Sequence, residues 1–128
     1  MPLTPGKRIV LADDDHDSAN TLAQLLRLKG HDVFVAYDGR SALEVVCRVH
    51  PDVVLLDIAM PRLDGCETAR RLRAEPGGAK LLIVAITGLS QVQLRRSTDL
   101  ADFDSYFLKP VDLPSLERLL ASHPGAAS

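Results

Sequence analysis

Val53-Val54-Leu55-Leu56-Asp57 is an apolar run that ends on an acid. Four consecutive apolar residues, half of them β-branched, are too few for a helix and read as a strand buried on both faces. Ile9 to Ala12, Val33 to Ala36, Leu81 to Ile86 and Tyr106 to Leu108 have the same character, which makes five expected strands. Helical stripes lie between them. Ala19, Leu22, Ala23 and Leu26 recur at i, i+3, i+4 and i+7, and Ala42, Val45, Val46 and Val49 repeat the pattern. Gly30 ends the first stripe and Pro51 follows the second. A third helix is expected from Asp64, where Asp-x-x-Glu to Glu67 has the spacing of a capping box. A fourth, sparse in apolar residues, is expected from Ser90 with Gln93 three residues on, and a fifth after Asp112, with Pro114 in its first turn. Strict β-α alternation with continuously apolar strands implies an α/β domain: a five-stranded, doubly wound parallel sheet with helices on both faces and right-handed crossovers.

The polar residues at the strand ends point to chemistry. Asp13-Asp14-Asp15 follows the first strand, Asp57 ends the third, Thr87 follows the fourth and Lys109 follows the fifth. In an open parallel sheet these carboxyl ends share one edge, and ligands bind there. Acids can hold a hard cation, one acid can attack phosphorus, and a hydroxyl and an ammonium can hold the transferred oxygens. The pattern is that of a phosphoryl-accepting aspartate.

Composition bounds the function. A chain of 128 residues suits a single domain; its core is expected over about 7–121, with short flexible ends at Met1 to Gly6 and Pro124 to Ser128. A net charge of -2, with no basic run beside an aromatic platform, argues against direct nucleic-acid binding. Cys47 and Cys66 form no C-x-x-C and no metal-type pairing with the histidines, so they are expected to be small, partly buried side chains in a reduced, cytoplasmic setting. No apolar run approaches the roughly 18 residues of a membrane span. Met1 to Arg8 leads into only a short apolar run before the acids, so neither a signal peptide nor membrane insertion is expected.

Leu-Leu-Asp-Ile-Ala-Met-Pro-Arg-Leu-Asp-Gly from Leu55 to Gly65, Ile86-Thr87-Gly88 and Leu108-Lys109-Pro110, taken with the leading acids, strongly resemble the receiver domains of two-component response regulators. The resemblance covers essentially the whole chain. It implies the flavodoxin-like strand order 2-1-3-4-5 with five helices. It implies that Asp57 is the phosphoacceptor, becoming an acyl phosphate after attack on a donor phosphohistidine. Mg²⁺ would be held directly by Asp14 and Asp57, by the backbone carbonyl of Ala59, and through water by Asp13. Lys109 would pair with the phosphoryl oxygens, ahead of a bond to Pro110 that is usually cis in the family. Thr87 would hydrogen-bond the phosphate, and Tyr106 would be the aromatic switch that follows it. The implied partners are a histidine kinase or a histidine phosphotransfer protein, and an output protein that the sequence does not name. Such a domain is not an enzyme in its own right, although it assists its own phosphorylation and dephosphorylation.

A stand-alone regulator and a receiver belonging to a hybrid histidine kinase both fit this pattern. An aspartyl-nucleophile phosphatase would need an acid where Ala59 stands, and a flavodoxin-like flavin carrier would need a Ser/Thr-rich loop in place of the acids, which repel a phosphate. Ala59 and Leu89 are nonpolar where some receivers place groups that admit the hydrolytic water, which predicts slow self-hydrolysis. Asp15 and Asp17 suit a helix start. His16 is expected to be an exposed helix-start residue rather than a ligand, because Mg²⁺ favours oxygen. Arg70, Arg71, Arg73, Arg95 and Arg96 are expected on solvated helix faces.

Overall fold

The computed structural model describes residues 6–58, 64–88 and 101–123. Five strands, β1 (Arg8–Ala12), β2 (Asp32–Ala36), β3 (Val53–Asp57), β4 (Leu82–Thr87) and β5 (Ser105–Leu108), form one parallel sheet in the order β2-β1-β3-β4-β5. Four helices are present among the described residues: α1 (His16–Leu28), α2 (Gly39–Val49), α3 (Gly65–Ala74) and α4 (Leu113–Ser122). The helix expected from Ser90 lies outside the described residues, as do Ala59, Leu89, Arg95 and Arg96.

Alternation along the strands builds the two layers. Ile9, Leu11, Val53, Leu55, Val84 and Ile86 pack with Ala19, Ala23 and Leu26 of α1 and with Leu116 and Leu120 of α4. Val10, Ala12, Val54, Leu56 and Ile83 face the other way, onto Ala42 and Val46 of α2 and Ala69 and Leu72 of α3. Fully burying one such Val, Leu or Ile side chain stabilises the fold by roughly 1.5–3 kcal/mol. The apolar runs are therefore pinned in register, and their polar ends are carried to one edge.

Local signals set the helix ends. Asp15, Asp38, Asp64 and Asp112 each cap a helix, accepting from the N–H of Ser18, Ser41, Glu67 and Ser115 respectively. The cap at Asp64 is as expected, but the Glu67 carboxylate turns outward to Arg70 and Arg71. Gly30, at φ 96°, completes a Schellman ending of α1: its N–H reaches the Arg27 carbonyl at 2.9 Å, and the His31 N–H reaches that of Leu26 at 3.2 Å. Gly65 has a different reason. A Cβ there would lie 2.6 Å from the Asp57 carbonyl oxygen and 2.7 Å from the Ile58 Cα, so only glycine lets α3 begin against the end of β3.

Two expectations need correction. Arg73 is not on a solvated face: its guanidinium donates to the carbonyls of Gly78 at 2.8 Å, Leu81 at 2.7 Å and Asp102 at 3.1 Å, and to the Asp104 carboxylate at 2.7 Å. Its long stem leaves α3 near the helix end, where these loop carbonyls need a donor. Cys47 is exposed rather than partly buried, because it sits on the outer side of α2, while Cys66 is half-buried; neither forms a disulfide. Among the described residues no helix is long and apolar enough to cross a membrane.

Candidate functional site

Sheet register assembles the site. Ala12 pairs with Leu56, so Asp13, the next residue, emerges beside Asp57. Asp57 pairs with Ile86, which puts Thr87 one step further out, and Thr87 pairs with Leu108, which puts Lys109 beyond it. Acid, acid, hydroxyl and ammonium thus come from four neighbouring strands in the order β1, β3, β4, β5.

The carboxylates are not equivalent. Asp13 and Asp57 are only 4% and 6% exposed, whereas Asp14 faces solvent. Lys109 Nζ sits 2.8 Å from Asp13 Oδ2 and 3.4 Å from Asp57 Oδ2, bridging the two buried acids. The other Asp13 oxygen accepts the Asp15 N–H at 2.9 Å. Burial by itself disfavours the Lys109 ammonium, but the hydrogen bond to Asp13 and the charges of Asp57 and Asp13 outweigh it and raise the lysine above its ordinary value. The Lys109–Pro110 peptide bond is cis, as expected for the family. The Lys109 N–H donates to the Thr87 carbonyl at 2.8 Å, so backbone bonding fixes the base of the lysine. The Thr87 side chain is buried at the sheet edge.

One oxygen from each of Asp13, Asp14 and Asp57 lies within 4.8 Å of the others. An all-oxygen set of this kind suits a hard cation. Ligands opposite one another on an octahedral Mg²⁺ are about 4.2 Å apart. The spacing therefore accommodates one ion with a carboxylate reaching it through water. One ammonium cannot balance three acids, and the charge surplus is what a divalent ion would neutralise. Asp15 stands apart from this group. Its carboxylate caps α1, and the Ser18 N–H holds its pKa below the ordinary 3.8.

Tyr106, in register with Ala85, is half-buried against Ile58 and Ala85. Two contacts at this edge were not anticipated from the sequence. The ring of His16 stacks on Tyr37, with centroids 3.7 Å apart and planes 15° from parallel, and the Tyr37 hydroxyl donates to Asn20 Oδ1 at 2.9 Å. The available signal was positional: Tyr37 is an aromatic residue immediately beyond the carboxyl end of β2.

The response regulator receiver domain model matches residues 9–121. The chain belongs to that family. Response regulator MprA of Mycolicibacterium vanbaalenii is 40% identical over 114 residues, covering 89% of this chain and 47% of the relative. The receiver therefore spans about half the length of the curated relatives it matches. Among solved structures, the receiver domain of the sensor histidine kinase PA1611 from Pseudomonas aeruginosa PAO1, with magnesium ion coordinated in its active-site cleft, is 28% identical with a TM-score of 0.85 over 96% of this chain and 99% of that one. The response regulator TrrA of Thermotoga maritima, in complex with Mg²⁺-BeF, is 27% identical with a TM-score of 0.78 over 88% of this chain and 95% of that one.

Proposed function

We propose that this receiver is a phosphoacceptor switch in which Asp57 takes a phosphoryl group from a phosphohistidine on a histidine kinase or phosphotransfer protein. The observation that carries this is the Lys109 ammonium bridging Asp13 and Asp57 within a cluster of three carboxylates. An Asp57 oxygen attacks phosphorus, the histidine nitrogen leaves, and an acyl phosphate remains. Mg²⁺, when bound, neutralises charge on the phosphoryl oxygens during transfer. Asp14 and Asp57 would hold it directly, Asp13 through water, and the Ala59 backbone carbonyl would complete the protein's share. Lys109 exchanges its carboxylate partner for a phosphoryl oxygen, and the buried Thr87 hydroxyl donates to another. A phosphoryl group brings about -1.5 to -2 charges and three acceptor oxygens, enough to draw Thr87 and let Tyr106 follow.

The same proposal takes the chain as one receiver domain with its core at about 7–121 and five helices in all, the fourth in chain order running from Ser90. It is not an enzyme with a separate substrate but assists its own phosphorylation and dephosphorylation. It acts in the cytoplasm, where Cys47 and Cys66 stay reduced, and passes its state to an output protein. Ala59, where a phosphatase of this chemistry would need an acid, weighs against the hydrolase alternative. A carboxylate cluster at the ligand edge likewise disfavours a flavin phosphate.

Incubation with acetyl phosphate and Mg²⁺ is expected to add one phosphoryl group, seen by intact-mass spectrometry on the wild-type chain and absent from Asp57→Asn. Persistence of the adduct on that variant would move the acceptor elsewhere.

A further inference from the structure

Asp14 is the exposed member of the carboxylate cluster, and it lies between two acids that are each held. The Asp13 carboxylate is fixed by Lys109 and by the Asp15 N–H, and the Asp13 N–H donates to the Ala36 carbonyl at 3.1 Å. On the other side Asp15 caps α1, so Asp14 is joined directly to the start of that helix. Beyond the Asp15 cap and the buried Ala19, Tyr37 also holds the start of α1. Its ring covers His16 and its hydroxyl bonds Asn20, residues i and i+4 on one face of the first turn. Tyr37 follows Ala36, so the end of β2 grips the acid loop both through its backbone and through this clamp.

We propose that Tyr37, acting through His16 and Asn20, is a positioning residue that preorganises the Asp13–Asp15 loop for a divalent cation. This rests on the Mg²⁺ site proposed above. Tyr37 bears on the loop through the His16 stack and the Asn20 hydrogen bond, and its effect passes along the backbone to Asp14. A loosened loop must be ordered again each time the cation binds, and fixing one residue's backbone is worth on the order of a five- to thirtyfold factor in affinity. The clamp therefore changes how tightly Mg²⁺ binds and leaves the transfer step at saturating Mg²⁺ intact.

The test measures Mg²⁺ affinity by following backbone amide NMR signals on adding Mg²⁺, alongside the rate of Asp57 phosphorylation by acetyl phosphate at saturating Mg²⁺. Tyr37→Leu and His16→Ala are each expected to weaken Mg²⁺ binding about five- to tenfold with a wild-type saturated rate. His16→Phe, which keeps a ring on Tyr37, restores the affinity. Because Tyr37 also packs against the core, the exposed His16 pair keeps the result separate from any loss of stability. Wild-type affinity in His16→Ala and Tyr37→Leu, or a reduced saturated rate with unchanged affinity, overturns the clamp alone. No Mg²⁺ binding by the wild-type chain overturns the metal reading and the clamp with it.

Discussion

Three consecutive aspartates meet three environments within one turn of chain. Asp13 is buried and paired with Lys109, Asp14 faces solvent within the carboxylate cluster, and Asp15 caps a helix. Asp14→Ala is accordingly expected to abolish Mg²⁺ binding, because water does not replace the lost charge, while Asp15→Ala, which keeps all three cluster carboxylates and loses only a helix cap, weakens it far less. Equal losses in NMR titrations of the two variants would contradict this division. Asp15 carries a pH signature of its own. Its folded pKa is lowered, chiefly by the Ser18 N–H, so its contribution is present above the unfolded value of 3.8 and is lost as pH falls through the folded value. Urea unfolding should therefore show Asp15→Ala less stable than wild type at pH 6, with the gap closing below pH 3.8. Lys109 has the opposite sign. Its pKa is raised above 10.5, so its stabilising share is complete below that value and is lost as pH rises through the folded one.

At the level of elements, β5 is held differently at its two ends. Near its start, the Asp104 carboxylate accepts from the Ile83 N–H at 2.8 Å and from Arg73, and the Asp104 N–H reaches the Ile83 carbonyl at 2.7 Å. At its far end the Lys109 N–H bonds the Thr87 carbonyl. Both ties use backbone or anchored groups, so Thr87→Ala removes a hydroxyl without removing a sheet bond. A ligand shifts an equilibrium only by its differential affinity for the two states, and the Thr87 hydroxyl is the contact expected to differ. Thr87→Ala should accept a phosphoryl group at Asp57 while losing most of the backbone shift change across Ser105–Leu108 that a beryllofluoride mimic produces in wild type. Full shifts in the variant, or none in wild type, would leave Tyr106 as a packing residue.

The whole molecule places a hydrophobic sheet behind a charged edge, and that edge carries the destabilising groups. Asp13 and Asp57 are buried carboxylates with one shared ammonium, and breaking such a group costs several kcal/mol when a charge is left uncompensated. A cation that binds only the folded state stabilises it by mass action, about 2.7 kcal/mol at a hundredfold excess over Kd. At roughly 3 °C per kcal/mol for a domain of this size, Mg²⁺ should raise the Tm by about 8 °C relative to EDTA. Asp14→Ala should show almost none of that rise in a calorimetric scan. An equal rise in the variant would place the ion outside this cluster.

Sequence periodicity alone determined the α/β class and the five strands, because burial on both sheet faces demands apolar runs that are legible over a few residues. The same local character made the caps at Asp64 and Asp112 readable, since a cap joins residues three apart. Asp13, Asp14, Asp57, Thr87 and Lys109 were legible as a site because each ends or follows a strand. The roles proposed for them, as acceptor, metal ligands and phosphate contacts, rest on family resemblance. Tertiary structure decided the rest. Arg73 reaches acceptors up to 31 residues away, and His16 meets Tyr37 across a helix and a strand. No local pattern encodes such pairs, because crossover packing and sheet register choose the partners. The unequal fates of Asp13, Asp14 and Asp15 have the same origin: identical side chains in sequence become a buried ion pair, an exposed cluster carboxylate and a helix cap only once β1 has been fixed between β2 and β3.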